Sequence, residues 1–380
     1  MIKSIKIRLL PTDTQNILMF KSTGIARFTY NWGLNRWNEM FKEDLKPSVA
    51  SIKKEFNNTI KKDENFKWLY EVSGQITAQA FRDLGNAFNN FFKGNAKRPN
   101  FKSKRKTKKS FYVRNDAITF KDGTVNLEKI GKVKYKTNYK IPKLLSYVNP
   151  RCNFDGKYWY LTFGYEQNEN QVELNKNLSI GIDLGIKDLA ICNNDIIIKN
   201  INKTAVVRKL EKRLKRLKRQ VSRKYDKLKK GKTFEKGERP IKTQNIIKLE
   251  RKIRLIYRKL TNIRNNHIHQ ATNKIIKRAP YRIVIEDLNI SGLMKNKHLA
   301  KAIQNQKFYE FIRQIKYKCE FNGIEFIQVD RFYPSSKTCS CCGLIKKDLK
   351  LKDRVYKCSC GLSINRDLNA AINLSKYQLV

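Results

Sequence analysis

The stretch LSIGIDLGIKDLAIC, residues 178–192, is the most informative part of this 380-residue chain. Its apolar residues are those of a buried β-strand, yet Asp183 stands in the middle, with Gly181 and Gly185 on either side. A carboxylate in such a strand must have a partner, because burying an unpaired charge is costly. The glycines leave room beside it, so a divalent cation and a phosphate backbone are the partners that we expect.

Two further acids stand in comparable surroundings. Glu286 ends the apolar run of YRIVIEDLNISG, and Asp367 lies in the first turns of a predicted helix in LSINRDLNAAINL. Two Mg²⁺ ions a few ångströms apart need bridging oxygen ligands with several negative charges, and three carboxylates in one α/β domain meet that need. Asp287 is excluded because it points to the opposite side of the strand from Glu286, and Asp330 is a weaker candidate.

Five of the eight cysteines lie close together near the C-terminus. One pair is Cys339 and Cys342 in KTCSCCG, and the other is Cys358 and Cys360 in YKCSCG. Two close pairs on either side of a loop are typical of a tetrahedral zinc ribbon. Four cysteine ligands leave no open position, so the predicted role of Zn²⁺ is structural. The extra Cys341 leaves the choice of one ligand open.

The charge of the chain is extreme. It holds 82 Lys and Arg against 33 Asp and Glu, a formal net charge of +49. Self-repulsion at this charge disfavours a compact state unless a polyanion neutralises it, and nucleic acid is the expected polyanion. No run of 18 apolar residues is present, so no membrane span is expected. The charged N-terminus does not fit a signal peptide, and the clustered cysteines indicate a reducing compartment, so we expect a cytoplasmic, nucleoid-associated protein.

The N-terminal part combines strands with a helical insertion. Residues 1–10 alternate as in a strand, Thr12 and Ser48 are predicted N-caps of two helices, and a third helix is predicted over about 73–92. Two Asp-Gly turns, in KDGTVNLEKIGKVKYK and CNFDGKYWYLTFGYE, then predict hairpins. We therefore expect a small β-barrel or sheet with a helical insertion at about 12–94.

Two regions of this part are candidates for nucleic-acid contact. The third helix carries an aromatic stripe, which we interpret as core packing, and polar side chains on its opposite face. Residues 97–109 hold eight basic residues in thirteen with aromatic residues between and after them, a pattern that suits phosphate contact and base stacking. A plain exposed basic loop is the alternative. The candidate contact residues are Gln75, Gln79, Lys97, Arg98, Lys102, Lys104, Arg105, Phe111 and Tyr112.

The C-terminal part has the alternating strands and helices of an α/β domain. Two or three strands from residue 178 are followed by helices at 205–230 and 244–277, whose apolar seams predict an antiparallel hairpin. His267 continues the second seam, and we interpret it as a packed or hydrogen-bonded histidine. The strand YRIVIEDLN, one helix over 299–323, the strand IEFIQVD, the cysteine region and a closing helix complete the chain. The predicted fold class is mixed α+β and α/β.

Several segments together resemble the TnpB family of transposon-encoded, RNA-guided DNA endonucleases, relatives of type V CRISPR effectors. They are ARFTYNW, FNNFFKG, RPNFKSKRK, GIDLGIKDLA, VIEDLN, PSSKTCSCCG and NRDLNAAINL, in the order of the family. The resemblance implies a wedge β-barrel, a helical recognition insertion, an RNase H-like RuvC nuclease domain and a zinc-binding insert that binds target nucleic acid. The corresponding residues are 1–11 with 95–172, 12–94, 173–332 with 362–380, and 333–361.

The resemblance also implies an activity and its partners. The expected activity is Mg²⁺-dependent cutting of double-stranded DNA that matches a guide RNA from the transposon end, next to a short motif read by the protein. Asp183, Glu286 and Asp367 match the metal-binding carboxylates, and Cys339, Cys342, Cys358 and Cys360 match the zinc ligands. Asn365 departs from the acid usual before RD, and the second cysteine pair is short.

Three alternatives remain open. One is a repressor that binds DNA without cutting it, which is disfavoured because all three acids are present. Another is a transposase that joins DNA ends itself, which is disfavoured because such enzymes usually order their acids Asp, Asp, Glu. The third is a miniature type V CRISPR effector, whose protein chemistry would be almost the same. The oligomeric state is not determined by the sequence.

Overall fold

The computed structural model describes residues 1–144, 146–167, 172–230, 240–350 and 353–378. The chain forms two compact units, Met1–Gln167 and Asn168–Val380. Each unit combines helices with a β-sheet, so the mixed fold class is confirmed. Within the described ranges, no helix is both long and apolar enough to span a lipid bilayer.

A seven-stranded antiparallel sheet forms the base of the N-terminal unit, in the order β2-β6-β7-β1-β5-β4-β3. Both predicted Asp-Gly hairpins are present. At the turn between β3 and β4, Asp122 and Gly123 have φ values of 47° and 69°, which is the backbone that a two-residue hairpin turn requires. The strands are β1 Ile2–Leu10, β2 Ser110–Tyr112, β3 Thr119–Lys121, β4 Thr124–Leu127, β5 Gly131–Lys136, β6 Val148–Phe154 and β7 Trp159–Glu166.

This sheet curls strongly without closing. The rings of Phe120 on β3 and Phe163 on β7 are 5.4 Å apart, although three strands separate β3 from β7 in the sheet. Neighbouring strands lie about 4.8 Å apart, so a flat sheet would separate these two strands by about 19 Å. Among the described residues, β2 and β3 do not pair with each other. The predicted barrel is therefore a curled, open sheet.

Three α-helices lie between β1 and β2, and each begins at the position that the sequence predicts. Helix α1 spans Asp13–Lys42, α2 spans Val49–Asn58 and α3 spans Gly74–Phe92, with Thr12, Ser48 and Ser73 as N-caps. A 3-10 helix at Glu64–Glu71 was not predicted. The aromatic stripe of α3 packs in the core as expected: the Phe88 ring stacks 4.0 Å from that of Trp37, and Phe81 is 1% exposed.

A five-stranded sheet forms the centre of the C-terminal unit, in the order β10-β9-β8-β11-β12. Strand β8 is antiparallel to β9 and parallel to β11, and β11 is parallel to β12. Ile283, Val284 and Ile285 of β11 are all 0% exposed, because helices cover both faces of the sheet. The strands are β8 Asn175–Leu184, β9 Asp188–Cys192, β10 Ile197–Lys199, β11 Pro280–Glu286 and β12 Glu325–Val329.

Helices α4, Ala205–Lys229, and α5, Gln244–Ile276, follow the two predicted apolar seams. Arg264, late in α5, lies 2.9 Å from Glu211 near the start of α4. Tyr225, late in α4, donates a hydrogen bond of 2.8 Å to Glu250 near the start of α5. These pairs show that the helices run antiparallel, as predicted. Most of the predicted polar connector lies outside the described residues.

The prediction of a single helix over 299–323 is wrong. The segment is two helices, α7 Ala300–Gln306 and α8 Phe308–Phe321, broken at Lys307, which has a left-handed φ of 57°. Tertiary contacts on either side explain the break. The Gln306 side chain donates to the backbone oxygens of Gly185 and Ile186, while Phe308 begins a helix that buries its aromatic face in the core. Before them, α6 spans Ile290–Leu293.

The cysteine region ends in a short hairpin that leads directly into the last helix. Strand β13, Val355–Lys357, pairs with β14, Ser363–Asn365, and α9 follows at Arg366–Ser375. Strand β14 lies beyond residue 361, the predicted end of the insert, and pairs with β13 inside it. The closing helix is confirmed.

Candidate functional site

Two of the three candidate carboxylates lie side by side at one end of the C-terminal sheet. Strands β8 and β11 are parallel, and their register places Ile285 beside Ile182. The next residue on each strand is an acid, Glu286 and Asp183. The carboxyl ends of parallel strands meet at the same edge of a sheet, which is why residues distant in sequence become neighbours here.

Helix α9 brings the third carboxylate, because it packs unusually close to β8. A Cβ atom on Gly181 would lie 2.0 Å from the carbonyl oxygen of Ala371 and 2.4 Å from the backbone nitrogen of Ser375. Only glycine allows this approach. Asp367 precedes Ala371 by four residues and therefore shares its helix face. The sequence predicts that the two glycines leave space beside Asp183 for an ion. At Gly181, part of that space is occupied by the backbone of α9.

The three acids form one electrostatic group. The pKa of Asp183 is raised well above its usual range, first by burial and then by the negative charges of Asp367 and Glu286, while Arg366 opposes the shift. Burial also raises the pKa of Glu286, and the charge of Asp287 adds to it. A buried carboxylate that faces the negative charges of two other acids would be stabilised by a cation.

The carboxylate oxygens are less tightly gathered than the cysteine sulfurs. Among the described residues, only the cysteines form a set of at least three candidate ligands whose atoms all lie within 4.8 Å of one another. The acids interact through their charges across longer distances. Their donor chemistry, carboxylate oxygens on two parallel strands and a helix, is nevertheless the kind that Mg²⁺ prefers.

Neighbouring acids have other partners. Asp287 accepts hydrogen bonds of 2.8 Å from Gln328 and from Arg331, which agrees with the prediction that it faces away from Glu286. Asp330 accepts a hydrogen bond from the backbone N–H of Phe332 and so stabilises a turn after β12. Neither acid is among the charges that shift the pKa of Asp183, although Asp287 acts on Glu286.

Asn365 has a structural role at the start of α9. As the N-cap, its side chain accepts hydrogen bonds from the backbone N–H groups of Asp367, at 2.9 Å, and Leu368, at 3.2 Å. Asparagine is among the best N-cap residues. Asp367 then sits in the first helical turn, where the helix dipole favours a negative charge.

The four predicted cysteine ligands come together. The sulfurs of Cys339 and Cys360 are 3.7 Å apart, and those of Cys342 and Cys358 are 3.6 Å apart. Cys341 lies outside the group and is exposed, which resolves the choice between it and its neighbours. Four sulfurs at these spacings match the donor set of a tetrahedral Zn²⁺ site.

Two similar turns shape this cysteine cluster. Gly343 follows Cys342 with a φ of 77°, and its N–H donates to the carbonyl oxygen of Cys339. Gly361 follows Cys360 with a φ of 90° and donates to Cys358 in the same way. Glycine is needed at both turns because L side chains rarely adopt such φ values. The N–H of Cys360 is the main cause that lowers the pKa of Cys358 to about 6, which favours the thiolate that a metal requires.

The candidate nucleic-acid residues divide by exposure. Lys97, Lys104 and Arg105 are exposed and available to a phosphate backbone. Arg98, also exposed, donates a 3.0 Å hydrogen bond to Asn38. The ammonium group of Lys102 lies 3.5 Å from the centre of the Tyr30 ring, and burial lowers the pKa of Lys102.

The prediction for Phe111 is wrong. Its side chain is 2% exposed and its ring packs 5.9 Å from that of Trp159, so it belongs to the core and cannot stack on a base. Phe111 lies on β2, where alternation points one side chain inward and the next outward. Tyr112 is accordingly half-buried.

The structure also places residues beside Gln79 that the sequence did not indicate. Gln79 donates to Asp83, and Asp83 pairs with both terminal nitrogens of Arg151, at 2.8 and 3.1 Å. Together with Arg27 and Lys102 they line a cavity of about 100 Å³. Asp83 and Arg151 lie on a helix and a distant strand, so no local pattern could have paired them. Gln75, on the same helix, is half-buried.

Comparison with known protein families matches most of the chain. A family described as "Helix-turn-helix domain" matches residues 1–46, where the structure has β1 and the single long helix α1. A family described as "Probable transposase" matches residues 162–297, which include Asp183 and Glu286. A family described as "Cas12f1-like, TNB domain" matches residues 308–374, which include the cysteine cluster and Asp367.

A solved structure shares the fold over nearly the whole chain. The structure titled "Cryo-EM structure of the Cas12f1-sgRNA-target DNA complex" aligns with a TM-score of 0.56, covering 99% of this chain and 98% of that one at 14% sequence identity. At this identity the likeness establishes the fold alone. The chain therefore shares the fold of the Cas12f1 protein in that structure.

Curated relatives are similar along most of their length. A "Putative RNA-guided DNA endonuclease" of Streptomyces pristinaespiralis is 30% identical over 98% of this chain and 88% of its own length. InsQ of Escherichia coli, with the same description, is 27% identical over 98% of this chain and 91% of its own. The chain belongs to this family, the transposon-associated TnpB family, as the sequence motifs indicated.

Proposed function

We propose that this protein is an RNA-guided endonuclease that cuts double-stranded DNA matching its guide, with Asp183, Glu286 and Asp367 as ligands of two Mg²⁺ ions. The observation that carries the proposal is the convergence of these acids from β8, β11 and α9, where burial and then the charges of the other two raise the pKa of Asp183. Membership of a family whose relatives are named RNA-guided DNA endonucleases supports the substrate.

The order of the C-terminal strands further supports RuvC-type chemistry. Three antiparallel strands followed by two parallel ones agree with the RNase H-like fold that the resemblance implies. Bound Mg²⁺ would supply charge stabilisation and water activation for phosphodiester hydrolysis. Asp183 lies on β8 and interacts with the charges of both other acids, so it would be a ligand of the bound ions. Glu286 has the longer reach, and Asp367 approaches from the first turn of α9.

The cysteine cluster would hold Zn²⁺ in a structural role. Cys339, Cys342, Cys358 and Cys360 supply four sulfurs, which leaves no position for a substrate or a water molecule. We propose that the hairpin around this cluster contacts target nucleic acid, and that the curled sheet and helical insertion of the N-terminal unit hold the guide RNA and the motif beside the target. The exposed basic residues at 97–109 are the first candidates for backbone contacts.

Substitution of Asp183 tests the nuclease centre. We expect Asp183→Ala to lower cleavage of a guide-matched plasmid in Mg²⁺ by more than about 100-fold, since even outer partners of metal ligands often contribute about 10–100-fold. Guide RNA binding should be unchanged, because Asp183 is an acid at the carboxyl end of β8 and offers no positive charge to a phosphate backbone. The matched control is Asp330→Asn, which retains the oxygen that stabilises the turn after β12. Cleavage at the wild-type rate by Asp183→Ala would refute the assignment.

A miniature CRISPR effector is the second candidate. It is favoured by a "CRISPR-associated endodeoxyribonuclease Cas12f1" of Sulfoacidibacillus thermotolerans, which is 31% identical over 57% of this chain and 50% of its own length. Sequencing the RNA that copurifies with the protein distinguishes a transposon-encoded endonuclease from a CRISPR effector. A single RNA from a transposon end supports the first proposal, and a set of RNAs with one repeat and varying spacers supports the second.

A further inference from the structure

Helix α9 is fixed on two opposite faces. One face lies on the central sheet, where Gly181 allows backbone contact with Ala371. On this side the Ser375 carbonyl oxygen also accepts hydrogen bonds from Ser179, at 2.8 Å, and Arg282, at 3.1 Å. Asp367 belongs to this sheet-facing side. The other side of α9 meets the cysteine cluster.

Two buried asparagines make that second contact. Asn369 is 0% exposed, and its amide donates to the Thr338 carbonyl oxygen at 2.7 Å and accepts from the Ser340 N–H at 3.0 Å. Asn373 is 5% exposed and donates to the carbonyl oxygens of Ser335 and Thr338, both at 2.7 Å. The two asparagines are four residues apart and share a helix face.

These bonds hold the backbone around a single cysteine. Thr338 and Ser340 are the immediate neighbours of Cys339, the most deeply buried of the four cluster cysteines, at 2% exposure. Asparagine is a poor helix former, and a buried amide is costly unless its hydrogen bonds are made. Both asparagines therefore serve a specific contact, because an apolar residue would suffice for packing alone.

The start of α9 is fixed by the same cluster through the chain itself. Asn365 is both the N-cap of α9 and the last residue of β14, where it pairs with Val355 of the cysteine hairpin. Asp367 follows only two residues later. The position of this carboxylate is thus determined at one end by the hairpin and along the helix by Asn369 and Asn373.

We propose that Asn369 and Asn373 are positioning residues that tie the cysteine cluster to the carboxylate centre. They hold the backbone around Cys339 against α9, and α9 holds Asp367 beside Asp183. When the four cysteines are held in place, α9 and Asp367 are held with them, and the affinity of the carboxylates for their divalent ion depends on this. This inference rests on the proposed function, since it takes Asp367 to be an ion ligand.

The test uses the guide-RNA complex of the Asn369→Ala/Asn373→Ala variant. Ion binding is followed by Mn²⁺ titration with electron paramagnetic resonance. The Mn²⁺ bound by the Asp183→Ala complex is subtracted as background, so that only binding at the carboxylates is counted. We expect about 10–100-fold weaker Mn²⁺ binding, the usual effect of losing outer partners of metal ligands. The Mg²⁺ concentration for half-maximal cleavage should rise in parallel, while zinc content and RNA affinity stay at wild-type values.

Gln314→Ala is the matched control. Gln314 is likewise a fully buried amide, 0% exposed, but it bonds to Thr272 and Glu310 at the interface of α5 and α8. It should lower the unfolding temperature and leave Mn²⁺ affinity unchanged. If the double variant behaves like this control, losing stability at wild-type Mn²⁺ affinity, the proposal is overturned.

A second measurement needs no substitution. Zinc is withdrawn from the wild-type complex with a zinc-selective chelator, and the same Mn²⁺ titration is repeated. Weaker Mn²⁺ binding supports the proposal, and unchanged binding contradicts it even if the double variant does not fold. Failure of the proposed function is distinguishable, because Asp183→Ala would then cleave DNA and bind Mn²⁺ as the wild type does.

Discussion

Lys318, at the interface of α5 and α8, is a cation surrounded by neutral oxygen atoms. Its ammonium group donates to Thr272 at 2.5 Å, to Asn273 at 2.7 Å and to the carbonyl oxygen of His269 at 3.3 Å. Burial lowers the pKa of Lys318 to about 8. The charged form is therefore less stable in the folded protein than in the unfolded chain.

This shift predicts a pH dependence of stability. Between the folded pKa of about 8 and the ordinary value of 10.5, the unfolded state binds more protons, so the contribution of Lys318 to stability rises with pH in that window. From pH 8 to pH 10, the unfolding free energy of Lys318→Met should rise less than that of the wild type. Urea denaturation at the two pH values measures both changes. Equal pH dependence in both proteins would contradict the assignment to Lys318.

At the scale of elements, the contact of α9 with β8 determines whether the acids meet. Gly181 is the residue that permits this contact, since an added Cβ would overlap backbone atoms of the helix. Backbone atoms cannot rotate away as a flexible side chain can. The helix would have to move, and Asp367 would move with it.

Gly181→Ala should therefore impair both stability and cleavage. Overpacking of a core typically costs about 1–3 kcal/mol, and overlap with backbone lies at the upper end of that range. The measurements are urea unfolding and plasmid cleavage at saturating guide RNA. Gly24→Ala is the matched control, because a Cβ there meets nothing within 4 Å and alanine favours the helix by about 1 kcal/mol. Wild-type cleavage by Gly181→Ala would show that the approach of α9 is adaptable.

At the scale of the whole molecule, the net charge of +49 governs binding. Each neutralised phosphate releases counterions, so binding weakens as salt rises. With about 6–10 phosphate contacts, affinity for guide RNA should fall by about 10³–10⁵ between about 50 and 200 mM salt in a filter-binding titration. A nearly flat salt dependence would contradict a backbone-dominated interface.

The basic loop can be tested in the same experiment. Lys104→Gln/Arg105→Gln should reduce the salt slope by about one unit for each lost phosphate contact. Lys67→Gln is the control, because Lys67 lies 2.6 Å from Glu64, which offsets its charge. An unchanged slope in the double variant would place the phosphate contacts elsewhere on the protein.

Much of the fold was predictable because its causes are local. Apolar periodicity and capping residues such as Thr12 and Ser48 predicted the helices, and Asp-Gly pairs predicted the hairpins. Lys307 was not predictable, because nothing in its neighbourhood opposes a continuous helix and the break follows from contacts of Gln306 with the β8–β9 turn. The burial of Phe111 likewise depends on which face of β2 meets the core.

By itself the sequence determined the acids, the cysteine pairs, their order and the family, because each is recorded in residue type and spacing. Only the tertiary structure decided that Asp183, Glu286 and Asp367 meet, that Cys341 is excluded from the cluster, and that Asn369 and Asn373 join the two sites. Those outcomes depend on strand register and on the approach of α9 to Gly181. They are distances between segments far apart in the chain, and no local pattern encodes them.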